Sequence, residues 1–100
     1  PTAELATQGM TVVHARVGGQ VQGVGFRWFV REVARRHGLS GWVKNLDDGS
    51  VELAVQGDSA SVERFLEEVE RGPRGARVEY LRHLPAENLG PLEPPFTIVR

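Results

Sequence analysis

The chain has 100 residues, a formal net charge of -1 and no cysteine. That length suits one domain with its own core. The missing cysteines exclude disulfides, thiolate metal sites and cysteine nucleophiles. The near-neutral charge supplies no global basic field for nucleic acid. No apolar run approaches a membrane span and no leader pattern opens the sequence, so a soluble cytoplasmic protein without a membrane partner is expected.

Residues 1–9 show no clean period and read as an N-terminal tail that could add to a sheet edge. From Met10 to Gly18 the residues alternate, with Val13, Ala15 and Val17 on one side and His14 and Arg16 on the other, the pattern of a half-buried strand. A glycine-rich stretch follows. Phe26, Phe29, Val30 and Val33, with Ala34, then form one face of a helix running to His37, which Gly38 ends. Ser40–Leu46 and Ser50–Gln56 read as two strands joined through the turn Asp47-Asp48-Gly49, a hairpin. Asp58 or Ser59 can cap a second helix whose stripe is Val62, Phe65, Leu66 and Val69, and Gly72-Pro73 stops it. Ala76–Leu84 is a fourth strand, and after a proline-containing loop Phe96–Val99 is a short last strand at an edge. The order βαββαβ predicts an α+β, ferredoxin-like sandwich: an antiparallel sheet, two helices on one face and a short C-terminal edge strand. The expected domain covers residues 10–100.

The stretch between the first strand and first helix breaks local rules. Gly19, Gly23 and Gly25 let the backbone turn tightly and lie close to a ligand. No Ser, Thr, Asp or Asn opens the helix, so its first N–H groups have no obvious cap. Arg27 stands in the first turn, where a cation opposes the helix dipole at about 0.3–1 kcal/mol. A bound anion relieves both faults. Topology supplies a second contributor. In a βαβ unit the first and second strands are parallel, so their C-terminal ends share one sheet edge. The loop, Arg27 and Asn45 should therefore converge.

These residues resemble the acylphosphatase family. The run Val17-Gly18-Gly19-Gln20-Val21-Gln22-Gly23-Val24-Gly25-Phe26-Arg27 matches the first family signature, and Gly41-Trp42-Val43-Lys44-Asn45 with Gly49, Val51 and Gly57 matches the second. The resemblance in strand order spans residues 10–100. It implies metal-independent hydrolysis of the carboxyl-phosphate bond of acyl phosphates, giving carboxylate and inorganic phosphate without a cofactor. It also implies roles: backbone amides of Gln20, Val21, Gln22, Gly23 and Val24 cradle the phosphate, Arg27 binds it by side chain, and Asn45 holds the attacking water.

The chemistry agrees with the residue types. An acyl phosphate carries its own good leaving group, and no His, Asp or Glu lies inside the glycine motif to serve as a general acid. Phosphoryl transfer depends mostly on positioning and charge stabilisation, and the planar guanidinium of Arg27 can hold two phosphate oxygens at once. With few polar groups near the cradle, weak acyl-group selectivity is expected. Acetyl phosphate, carbamoyl phosphate and 1,3-bisphosphoglycerate are all suggested by the family.

Blander readings stand beside these. The glycine stretch lacks the Gly-Lys-Ser/Thr ending of a nucleotide P-loop and the dinucleotide fingerprint. Asp47-Asp48 before glycine is a hairpin turn more readily than a metal site. His14, His37 and His83 have no ligand spacing and belong on a solvent face or near a helix end. Trp28 lies off the helix stripe and either packs against a loop or walls a substrate pocket. Arg31, Arg35 and Arg36 read as a solvated helix face. The alternative function is a non-catalytic ligand- or RNA-binding ferredoxin-like module, or a detached domain of a larger maturation enzyme. The RNA form would stack bases on aromatics of the first and third strands, and neither has one. The sequence ending at Arg100 without a linker favours a stand-alone protein, expected to be a monomer.

Overall fold

The structure, a computed structural model, describes residues 10–100; the reading of residues 1–9 as a tail lies outside them. The elements are β1 (Met10–Gln20), α1 (Phe26–Arg36), β2 (Ser40–Asn45), β3 (Val51–Asp58), α2 (Ser59–Arg71), β4 (Arg77–Leu84) and β5 (Thr97–Val99). The strands lie in the order β4-β1-β3-β2-β5. β1 is antiparallel to both β3 and β4, and β2 is antiparallel to β3. These four strands and two helices are the ferredoxin-like α+β arrangement that the sequence predicts. β5 extends it at the β2 edge and runs parallel to β2, so the whole sheet is mixed.

One apolar layer holds the helices to the sheet. α1 buries Phe26, Val30, Val33 and Ala34, and α2 buries Val62, Phe65 and Val69. They meet Ala15 and Val17 of β1, Val43 of β2, and Val51, Leu53 and Val55 of β3 in one cluster. The period-two strand pattern and the 3.6-period helix pattern place these side chains on facing surfaces. α2 starts at Asp58, whose carboxylate accepts the Ser61 N–H at 3.1 Å, and ends at Gly72. α1 has no such start: its N-cap is Gly25, without a side-chain cap, while Arg35 and Arg36 occupy its last turn.

Two boundaries move by two residues, and several others by one. β1 runs two residues beyond Gly18, with a register shift between Gly18 and Gly19 against β4. At Gly19 a Cβ would stand 2.1 Å from the Arg77 carbonyl oxygen, so only glycine lets the two backbones approach there. β3 continues to Asp58, two residues past Gln56, because β1 pairs with it down to Met10.

The register fixes the site. Val17 of β1 and Asn45 of β2 both pair with Val51 of β3, so the three lie in one row across the sheet. The loop after β1 therefore rises from the edge at which β2 ends. Asn45 lies two residues beyond the buried Val43 on β2, so it faces the helix side of the sheet.

Candidate active site

Residues 21–25 connect β1 to α1. Gly23 and Gly25 have φ of 77° and 76°, in the left-handed region, and a Cβ at either would meet nothing within 4 Å. Glycine is therefore required there by backbone conformation, and open space lies beside it. One loop carbonyl enters the helix ladder, Gly25 O accepting the Phe29 N–H at 3.0 Å. Among the described residues no acceptor is found for the backbone N–H groups from Val21 to Trp28. A row of unpaired amides at a helix N-terminus attracts an anion.

A cavity of about 170 Å³ opens at this point, lined by Val21, Gly23, Gly25, Phe26, Arg27, Trp28, Asn45 and Ile98. The structure thus brings Arg27 and Asn45 together although they are far apart in sequence. Among the described residues Arg27 has no carboxylate partner. The Asn45 side-chain carbonyl oxygen is buried without a hydrogen-bond partner. An orphaned buried acceptor costs about 1–3 kcal/mol and implies a ligand or water for that atom. The lining holds no carboxylate, imidazole, hydroxyl or thiol.

The five residues expected to cradle phosphate through their backbone divide. Val21 and Gly23 line the cavity. Gln20 ends β1, paired with Arg77 of β4, and is not among the lining residues. Val24 is exposed in the loop, outside the lining. Gln22 turns its side chain the other way: its Nε2 donates to the carbonyl oxygens of Leu46 and Ser50, each at 2.8 Å. That amide ties the loop to the turn directly after Asn45. The turn is itself braced, with Asp48 Oδ1 accepting the Ser50 N–H at 2.9 Å and the Ser50 Oγ–H at 2.5 Å. These two bonds, the side-chain one foremost, hold the Asp48 carboxyl below its ordinary value.

Sequence reasoning assigned no role in the site to Phe26 or Ile98, and favoured packing against a loop over a place in the pocket wall for Trp28. Trp28 is 58% exposed and lines the cavity. Ile98 comes from β5, where it pairs with Val43. The Arg35 guanidinium fixes that strand by donating from Nε to the Phe96 carbonyl at 3.0 Å, so Arg35 is more than a solvated charge. The short edge strand was expected, but its pairing with β2 across a long loop leaves no local signal, which is why the place of Ile98 in the cavity was not legible.

The histidines stand apart from the cavity. His37 follows α1 and its Nε2 lies 2.8 Å from Glu68 of α2. His14 is half-buried on the open face of the sheet, its Nε2 2.5 Å from Glu52. His83 is exposed. Among the described residues no group of three His, Cys, Asp or Glu is placed to hold a metal ion. No helix of the described residues is long and apolar enough to cross a membrane.

The fold and this site define a class first: a small ferredoxin-like domain with an uncapped helix N-terminus beside an arginine and no acid-base side chain in its cavity. Comparison narrows it. A family model described as acylphosphatase matches residues 13–98. An acylphosphatase of Geobacillus thermodenitrificans is 44% identical over 90 residues, 90% of this chain and 95% of that one. The crystal structure of acylphosphatase from Bacillus subtilis superposes with a TM-score of 0.82 at 36% identity, covering 91% of this chain and 99% of that one. An acylphosphatase structure from Coxiella burnetii gives 0.80 at 34%, covering 94% and 97%. The chain belongs to the acylphosphatase family and is a hydrolase of acyl phosphates.

Proposed function

We propose that the Arg27 cavity is where the acyl phosphate is cleaved, with the loop amides and Arg27 holding the phosphate and Asn45 orienting the water. The reading is carried by one observation: unpaired amides, a guanidinium and a buried, unpartnered carboxamide oxygen meet in a cavity that offers no nucleophile, acid or base. Such a cavity suits only a reaction whose substrate brings its own leaving group.

In this scheme the phosphate sits at the start of α1. Val21 and Gly23 lie in the cavity wall, where their N–H groups and those opening the helix donate to phosphate oxygens. The Arg27 fork spans two more. Charge accumulates on these oxygens in the transition state, and fixed donors in a partly enclosed site stabilise it without reorganisation. The Asn45 carbonyl oxygen accepts a hydrogen bond from a water and directs its lone pair at phosphorus. The water oxygen–phosphorus bond forms as the phosphorus–acyl oxygen bond breaks, and its electron pair leaves on the carboxylate. The water's two protons finish on phosphate, so acyl phosphate dianion and water give carboxylate and dihydrogen phosphate.

No step needs a metal or cofactor. The test is hydrolysis of benzoyl phosphate in excess EDTA, followed by loss of acyl-phosphate absorbance. Turnover far above blank is expected. In Arg27→Ala it should fall by about 10²–10³-fold, the scale of losing one preorganised donor to developing charge, and inhibition by inorganic phosphate should weaken. Activity that depends on added metal overturns the scheme, and unchanged phosphate inhibition in Arg27→Ala moves the phosphate site elsewhere.

A further inference from the structure

Trp28 is the one exposed large side chain of the cavity that the scheme leaves unused, and its placement is unusual. α1 has a complete core stripe in Phe26, Phe29, Val30, Val33 and Ala34. Trp28 lies off that stripe and is 58% exposed, a position where a soluble helix ordinarily carries a polar residue. It occupies the third helical position, where an acidic residue would suit the dipole. Helical side chains lean toward the N-terminus of their helix and cover the turn before their own Cα. Trp28 therefore leans toward Gly25 and the loop, and it lines the cavity with Arg27, Val21 and Ile98.

The cavity is chemically two-ended. Arg27, Asn45 and the loop amides account for a phosphate and a water. The remaining side chains in the wall, Trp28, Ile98, Val21 and Phe26, are all apolar. No second cation is there for a second phosphate, and no donor or acceptor side chain is left for a polar acyl group. At about 170 Å³ the cavity is smaller than the roughly 300–1,000 Å³ that encloses a drug-sized ligand. An acyl group extending from bound phosphate reaches its rim, where the indole stands.

We propose that Trp28, with Ile98 beside it, is the acyl-binding platform and makes the enzyme selective for acyl phosphates with an aromatic or branched apolar acyl group over acetyl phosphate. A planar indole takes the flat face of an aroyl group by offset stacking or the side of a branched alkyl chain by apolar contact. A methyl group covers little of it. This refines the expectation of weak selectivity and rests on the Arg27 cavity being the phosphate site.

The test compares kcat/KM for benzoyl phosphate and acetyl phosphate in the wild type, Trp28→Ala and Trp28→Phe, with the inhibition constant of inorganic phosphate for each. An exposed helix position tolerates these changes. The wild-type ratio should favour benzoyl phosphate. Trp28→Ala should lower that ratio about ten-fold, the scale of one lost apolar contact region, through KM for benzoyl phosphate and with phosphate inhibition unchanged. Trp28→Phe should recover most of it. A second readout uses Trp42→Phe, which leaves Trp28 as the sole indole. Benzoate added with inorganic phosphate should then shift its emission, and acetate with phosphate should not. An unchanged ratio in Trp28→Ala, or equal losses on both substrates, overturns the proposal. If Arg27→Ala keeps wild-type phosphate inhibition, the site reading itself falls; if it loses that inhibition while Trp28→Ala keeps the wild-type ratio, only the role of Trp28 is lost.

Discussion

Asn45 and Arg27 place two different demands on one cavity. In the proposed scheme Arg27 contributes charge, and its loss should weaken phosphate in ground state and transition state alike. Asn45 contributes an oriented acceptor, buried and without a protein partner. Its removal should leave phosphate binding nearly intact and misplace the water. Asn45→Ala is thus expected to lower kcat by about 10²-fold, the scale of a misplaced reactant, with the phosphate inhibition constant within about two-fold of wild type. Asn45→Asp keeps the shape but sets a carboxylate beside an anionic substrate, and should lose both turnover and phosphate affinity. Steady-state kinetics with phosphate as competitive inhibitor separates the cases. Equal loss of phosphate affinity in Asn45→Ala and Arg27→Ala would sink the water-orienting role.

At the scale of elements, the question is what holds the loop against the end of β2. Asn45 projects from a strand, whereas the cradle is an uncapped loop with two left-handed glycines. The Gln22 amide joins them through its bonds to Leu46 and Ser50. Each such bond has a net worth of about 0.5–1.5 kcal/mol. Gln22→Met keeps length and bulk while removing both donors. It should lower stability by about 1–3 kcal/mol, a Tm decrease on the order of 10 °C for a domain of this size, and reduce kcat at 25 °C where the variant remains folded. A lowered Tm with wild-type kcat would mean that the loop keeps its position without the amide.

Sequence reasoning located both elements of that join but not the join itself. Alternation and helical spacing gave β1, α1 and the hairpin because burial periodicity is written locally, in residues such as Val13, Ala15 and Val17. The convergence of Arg27 with Asn45 was legible because strand direction follows from the βαβ crossover. The Gln22 side chain was not, since a glutamine reads alike whether it points to solvent or to a carbonyl 24 residues away. Trp28 was legible only as an anomaly: its position off the core stripe is in the sequence, but the cavity that gives it a use depends on β5.

For the whole molecule, the net charge of -1 offers no long-range attraction for an anionic substrate, so in the proposed scheme recognition rests on the local field at the start of α1. Charge matters globally in another way. Two carboxylates tie parts of the frame together. Asp48 braces the β2–β3 turn through Ser50. Glu68 of α2 accepts from His37, just past α1, at 2.8 Å and pairs with Arg36 of α1 at 3.3 Å, joining the two helices. Both are held below their ordinary values of 3.8 and 4.5, Asp48 mainly by the Ser50 hydroxyl and Glu68 mainly by His37. A depressed folded value means that the unfolded chain binds the proton first as pH falls. The stability from these groups is therefore complete above the unfolded values and is lost as pH drops through the folded ones, below about pH 4.5 for Glu68 and pH 3.8 for Asp48. Urea midpoints measured from pH 6 down to pH 2.5 should decline in the wild type and decline less steeply in Asp48→Asn with Glu68→Gln, the variant starting lower at pH 6 and approaching the wild type at the acid end. Parallel declines would assign the acid sensitivity to other carboxylates and leave the turn and the helix pair held by packing alone.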